Sequence, residues 1–112
     1  HYAQTLAFYE HVLGLQRTLV KDWFVEFRVA REAFLSVADQ NRATIDSAQG
    51  KGLTLTFQVD DVRVSHEQLR ARGATLSAVG ARPWGAQGFL LCDPEGTRIE
   101  IWAPSSLATV RC

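Results

Sequence analysis

Apolar side chains recur along this chain in two rhythms. Near the front, Leu6, Tyr9, Val12 and Leu13 fall three and four residues apart, and Gly14 stands where a left-handed residue ends a helix. That spacing predicts a short amphipathic helix over residues 5–13. The period then drops towards two. Segments 16–21, 23–30 and 33–37 are rich in β-branched and aromatic residues and too short for stable helices, so they predict three strands. Residues 39–52 are polar, lack an apolar period and end among glycines, which predicts a connector. Beyond it the pattern predicts a strand at 53–59 and a helix at 62–72, the helix capped by Asp60 or Asp61 and stopped by Gly73. Three further strands are predicted at 74–79, 88–92 and 97–102, with turn chemistry in Pro83-Trp84-Gly85 and Asp93-Pro94-Glu95-Gly96.

The order is helix-βββ followed by βαβββ. Internal duplication accounts for it: one domain, 1–112, made of two pseudo-repeat modules at 1–40 and 53–104 joined by the connector 39–52. On that reading a first strand is expected ahead of His1, in keeping with the absence of methionine even at position 1. Asp-Pro-Glu-Gly suits a three-residue hairpin loop with Gly96 in the left-handed position. The register that follows sets Leu90 opposite Glu100 and Cys92 opposite Arg98, with Leu91 against Ile99 and Phe89 against Ile101 on the other face. In the first half Val25, Phe27, Val29, Leu35 and Val37 share a face, leaving Phe24, Glu26, Arg28, Phe34 and Ser36 on the other. Alternation from 53 to 59 puts Leu55, Phe57 and Val59 inward and Thr54, Thr56 and Gln58 outward. Each half thus predicts a curved sheet, a helix on its convex back and a polar-aromatic front, and two such fronts enclose a cleft.

Composition narrows the chemistry. Twelve basic residues cancel twelve acidic ones, so no excess positive field exists to attract nucleic acid or anionic lipid. No apolar run approaches the roughly 20 residues of a membrane span and no signal-peptide layout opens the chain, which leaves a cytoplasmic protein as the expectation. Cys92 and Cys112 are expected as reduced thiols. No Gly-rich phosphate loop, nucleophile elbow or Cys-x-x-Cys pair appears, and His1, His11 and His66 read as solvated rather than as ligands.

Several motifs occur in a telling order: Leu6-Ala7-Phe8-Tyr9 then Val12-Leu13-Gly14-Leu15; Phe57-Gln58-Val59-Asp60-Asp61-Val62 leading into a helix ended by Arg72-Gly73-Ala74; and Pro83-Trp84-Gly85 then Asp93-Pro94-Glu95-Gly96-Thr97-Arg98-Ile99-Glu100. In this order they resemble the vicinal oxygen chelate superfamily of glyoxalase I, extradiol dioxygenases, fosfomycin-modifying enzymes and bleomycin-binding resistance proteins. The resemblance implies an α+β fold of paired βαβββ modules, a curved mixed sheet with helices on its convex side, often completed by domain swapping between two chains. It also implies that metal-dependent members hold a divalent ion with side chains on the first and last strands of each module. Glu100 matches a last-strand position, whereas the equivalent places hold Ser36 and Thr54, which are poor ligands.

No metal or other cofactor is therefore predicted as the main reading. The expected site is an aromatic-lined cleft for a small organic molecule, built from Phe24, Glu26, Arg28, Phe34, Ser36, Thr54, Thr56, Trp84, Leu90, Arg98, Glu100 and Trp102. A structural ion pair of Glu100 with Arg98 or Arg28 is expected, and Trp84 is read as either a lid or a loop anchor. The leading function is binding or sequestration by a homodimer of the bleomycin-resistance type. The alternative is a divalent-metal-dependent lyase or dioxygenase with Glu100 as one ligand. A third reading, a structural dimerisation module, requires the cleft to be filled by the protein's own side chains.

Overall fold

The computed structural model describes residues 1–83 and 85–105. The chain begins with helix α1 (Tyr2–Ala7), which runs on into one π-helical turn, Phe8–Val12. In that wider turn the Leu13 N–H donates to the Phe8 carbonyl five residues back at 3.0 Å. Gly14, at φ +72°, then releases the chain into strand β1 (Gln16–Val20). Strands β2 (Phe24–Ala30) and β3 (Ala33–Ala38) complete an antiparallel three-stranded sheet in the order β1-β2-β3.

After the connector come strand β4 (Thr54–Gln58), helix α2 (Val62–Ala71) and strands β5 (Gly80–Arg82), β6 (Ala86–Cys92) and β7 (Arg98–Pro104). They build a four-stranded mixed sheet in the order β4-β7-β6-β5, in which β4 runs parallel to β7. Asp61 is the residue that caps α2: its Oδ1 accepts the Arg63 and Val64 N–H groups at 3.0 and 3.1 Å.

Both predicted registers occur. Leu90 faces Glu100, Cys92 faces Arg98, Leu91 faces Ile99 and Phe89 faces Ile101, while Val25 and Phe27 face Val37 and Leu35. The hairpin turn closes as its sequence requires, with Gly96 N–H on the Asp93 carbonyl at 2.9 Å, Asp93 N–H on the Thr97 carbonyl at 3.0 Å, and Gly96 at φ +87°. One expectation fails. Residues 74–79 do not form a strand, and the ladder partner of β6 is the shorter Gly80–Arg82. The Ser77 hydroxyl takes the Leu90 N–H at 2.8 Å, so a side chain replaces the backbone acceptor that a ladder would supply. Ala74, Leu76 and Val79 still pack on the core, which is why the segment reads as alternating.

One apolar cluster joins the two sheets to the helices. Tyr9, Val25, Phe27, Val62, Leu69, Phe89, Leu91, Ile99, Ile101 and Ala103 form its buried centre. Both helices thereby cover the oily faces of the strands and leave the opposite faces uncovered by helix, an α+β arrangement in which the sheet stays open.

Polar ties reinforce this packing between the halves. The Tyr9 hydroxyl, beyond α1, donates to Asp93 Oδ2 in the β6–β7 turn at 2.7 Å, and both residues are buried. Asp93 Oδ1 meanwhile accepts the Glu95 and Thr97 N–H groups, each at 2.9 Å. Arg72, at the end of α2, donates from Nη1 to the Val12 carbonyl at 2.9 Å. The connector docks on the same β6–β7 turn: Ser47 Oγ meets Glu95 Oε1 at 2.9 Å, and a Cβ on Gly50 would stand 2.4 Å from the Gly96 backbone.

Burial first, then the hydrogen bond to Asp93 and its negative charge, push the Tyr9 phenol well above its ordinary pKa. In Tyr9→Phe, Asp93 loses a donor inside the core, and urea unfolding followed by circular dichroism should show a loss of about 1.5–3 kcal/mol. The pH dependence carries the matching sign. Below about pH 10 the tyrosine is neutral in both states; above it the unfolded chain ionises first, so the native protein loses stability, and Tyr9→Phe should lose less over the same range.

Candidate functional site

Period two sorts the predicted site residues as expected. Phe24, Glu26 and Arg28 on β2 stand beside Phe34 and Ser36 on β3, through the pairs Glu26–Ser36 and Arg28–Phe34. On the second sheet Thr54–Arg98, Thr56–Glu100 and Leu90–Glu100 are cross-strand pairs, and Trp102 lies opposite Gly88. All of these lie on the strand faces turned away from the helices. They form two groups, five residues on the first sheet and six on the second, and β3 and β4 are not hydrogen-bonded to each other. Trp84 lies outside the described residues.

Each group is cross-linked within itself. Arg28 stacks on Phe34, its guanidinium carbon 4.9 Å from the ring centroid, and donates to the Arg31 carbonyl at 2.6 Å. Thr18 donates to Glu26 at 2.8 Å, and the Trp23 and Phe24 rings meet edge to face at 4.8 Å. Across the second sheet, Arg98 Nε donates to Thr54 Oγ1 at 3.2 Å.

The partner of Glu100 corrects the sequence reading. Arg82, on β5, donates from Nε to Glu100 Oε2 at 2.7 Å, and the two side chains are only 19% and 15% exposed. Neither Arg98 nor Arg28 takes this place. The link spans a whole strand, because β6 lies between β5 and β7. It crosses at Gly88, where a Cβ would stand 3.4 Å from Arg82 Nε, 3.3 Å from Trp102 Cβ and 2.8 Å from the Ile101 carbonyl oxygen. The missing side chain at Gly88 is the passage for the guanidinium. Sequence reasoning missed Arg82 by ending the preceding strand too early; the one signal was the glycine that opens the predicted strand 88–92, which the structure places inside Ala86–Cys92, where it marks a close approach.

The donor set does not suit a divalent ion. Glu100 is committed to Arg82, Thr54 to Arg98, and Ser36 lies opposite Glu26. Among the described residues no three His, Cys, Asp or Glu side chains gather where they would hold a metal. His11 is exposed on its helix; His66 is half-buried rather than solvated, its Nε2 3.0 Å from the Ser77 carbonyl and its ring edge-on to Phe89 at 4.8 Å. Cys92 is a free, exposed thiol, and Cys112 lies outside the described residues.

Two hollows of ligand size lie elsewhere. One of about 710 Å³ is bounded by Tyr2, Thr5, Asp39, Ser47 and Glu95, where α1, the connector and the β6–β7 turn converge. The other, about 430 Å³, lies among Leu13, Val29, Phe57, Leu69 and Arg72, between α2 and the β2–β3 hairpin. Of the described candidate residues, Thr56 is the one that borders either of them.

The profile of the Glyoxalase/Bleomycin resistance protein/Dioxygenase superfamily matches residues 1–101. A search of curated proteins gives no significant match. Among solved structures, a glyoxalase/bleomycin resistance protein/dioxygenase from Nocardioides superposes with a TM-score of 0.75 at 19% identity, over 95% of this chain and 78% of that one. A lactoylglutathione lyase from Agrobacterium tumefaciens gives 0.74 at 20% identity, over 91% of this chain and 84% of that one. A bleomycin resistance determinant encoded on the transposon Tn5 gives 0.73 at 17%, over 93% and 89%. These likenesses establish the fold. No described helix is long and apolar enough to cross a membrane.

Two measurements test this geometry. A double-mutant cycle between Arg82→Ala and Glu100→Ala should return a coupling of about 1.5–3 kcal/mol in unfolding free energy, the range for hydrogen bonds to charged groups. Gly88→Ala should cost about 1–3 kcal/mol, because the obstacle at 2.8 Å is backbone and cannot swing aside.

Proposed function

The chain belongs to the glyoxalase/bleomycin resistance protein/dioxygenase superfamily, and from that premise we propose that it binds a small organic molecule in the aromatic-lined front of its sheets, without a metal. The observation that carries this reading is the commitment of Glu100. A carboxylate bridged through Oε2 at 2.7 Å to a guanidinium has its charge already balanced and only Oε1 left, and one oxygen is too few to hold a divalent ion. Hydroxyl side chains at Ser36 and Thr54 do not replace the lost donor. Complementarity of shape, stacking and charge then does the work: Phe24, Phe34 and Trp102 offer ring faces or edges, and Arg28, Arg98 and Glu26 offer directional charge.

The binding unit is a homodimer. The outer edge of β3 and the outer edge of β4 carry no paired strand among the described residues. Open edges invite pairing with a second chain, and the two polar-aromatic groups need a partner surface to enclose a ligand. Exposed Leu19, Val20 and Leu53 add apolar surface near the strand ends.

Metal analysis of the purified protein should find no stoichiometric zinc, nickel, manganese or iron, and incubation with each ion should leave its unfolding temperature unchanged. A metal at one equivalent per chain would replace this reading with that of a metal-dependent enzyme. Sedimentation at micromolar concentration should show a dimer; a monomer alone would count against the shared cleft.

A further inference from the structure

The fronts of the two sheets differ in charge. On the first, Glu26 and Arg28 balance. On the second, the described charged residues are Arg82, Arg98 and Glu100; Glu100 pairs with Arg82, so the surplus positive charge of this face is that of Arg98. The two arginines are held differently. Arg98 is exposed and its Nε is engaged by a hydroxyl at 3.2 Å. Arg82 is four-fifths buried, and its Nε is fixed by a carboxylate at 2.7 Å.

The position of Arg82 matters as much as its charge. Its guanidinium lies over Gly88, on the face that also carries Leu90 and Trp102, because Gly88 has no side chain to fill the space. A guanidinium has five N–H donors in one plane. Glu100 takes the Nε donor, and Nη1 has only a 3.5 Å approach to the Ala81 carbonyl. The edge formed by the two terminal nitrogens is thus the fork left for an incoming acceptor. A planar fork with spacing matched to two oxygens selects a carboxylate over a single hydroxyl.

We propose that Arg82, laid across Gly88 and fixed by Glu100, is the anchor for the carboxylate of a flat organic acid bound on this face. The ligand's two carboxylate oxygens take the Nη1–Nη2 edge, and its ring lies against Leu90 and Trp102. Glu100 acts as the positioning residue: it holds the guanidinium in one orientation before the ligand arrives, so that little side-chain entropy is lost on binding. This inference rests on the proposed binding function and adds the ligand class to it.

The test uses the full chain, 2-naphthoate as the acid and 2-naphthalenemethanol as its neutral counterpart, with affinities from isothermal titration calorimetry. The protein should bind the acid at least roughly tenfold more tightly than the alcohol, the order expected for charge-assisted hydrogen bonds. In Arg82→Gln that preference should vanish while alcohol binding is retained. Arg82→Lys keeps a cation beside Glu100 and protects the fold; it should lose most of the preference because the planar fork is gone. Equal affinity for acid and alcohol, or a preference that survives both substitutions, would overturn the assignment of Arg82 while leaving the binding cleft in place. If neither compound binds, both the cleft and its anchor fall.

Discussion

Asp93 holds the structure together at its most consequential point. One carboxylate oxygen takes the Tyr9 hydroxyl from the first half, and the other takes two backbone N–H groups of its own turn. The second set fixes the β6–β7 hairpin in a single register. Because side chains alternate, a slip of one residue would send Ile99 and Ile101 to the front and Arg98 and Glu100 into the core. The first bond fastens the helical segment of residues 2–12 to that hairpin. A buried carboxylate without these donors would be costly, so the turn, the helix and the sorting of faces stand or fall together.

That sorting leaves one face of an otherwise ordinary sheet for the site proposed above. The helices seal one face with Tyr9, Val62 and Leu69, and the polar face is left to meet something else. Arg72, reaching back to the Val12 carbonyl, and the connector, docked through Ser47 and Gly50, brace the two halves from outside the core. Neither brace pairs β3 with β4. The two fronts are consequently rigid within themselves but open towards each other, which is the geometry a second chain or a bridging ligand would complete.

Much of this was legible in the sequence because it depends on local rules. Alternation and an Asp-Pro-Glu-Gly turn suffice to place Leu90 opposite Glu100, with no knowledge of the rest of the fold. The capping choice at Asp61 and the stops at Gly14 and Gly73 are local as well. What escaped depends on space between elements. Residues 74–79 alternate because they pack on the core, yet Ser77 diverts the hydrogen bond that would have made them a strand. The extra residue in the π turn leaves no mark in a pattern of apolar spacing. Arg82 escaped for the same kind of reason: its partner is decided by a gap on a neighbouring strand, and sequence shows a glycine without showing what passes over it.

The Arg82–Glu100 pair also shows why a mostly buried ion pair would be kept where it adds little stability. Two charges withdrawn from water lose hydration, and their attraction returns about that much. A hydrophobic pair of similar volume would fold at least as well, so net stability is a weak reason for its presence. Position is a stronger one. An exposed arginine samples many rotamers and must surrender them to bind, as Arg98 would; one threaded across Gly88 and pinned at its Nε has already surrendered them on folding. The cost moves from the binding step to the folding step, where the apolar core behind the sheet offsets it.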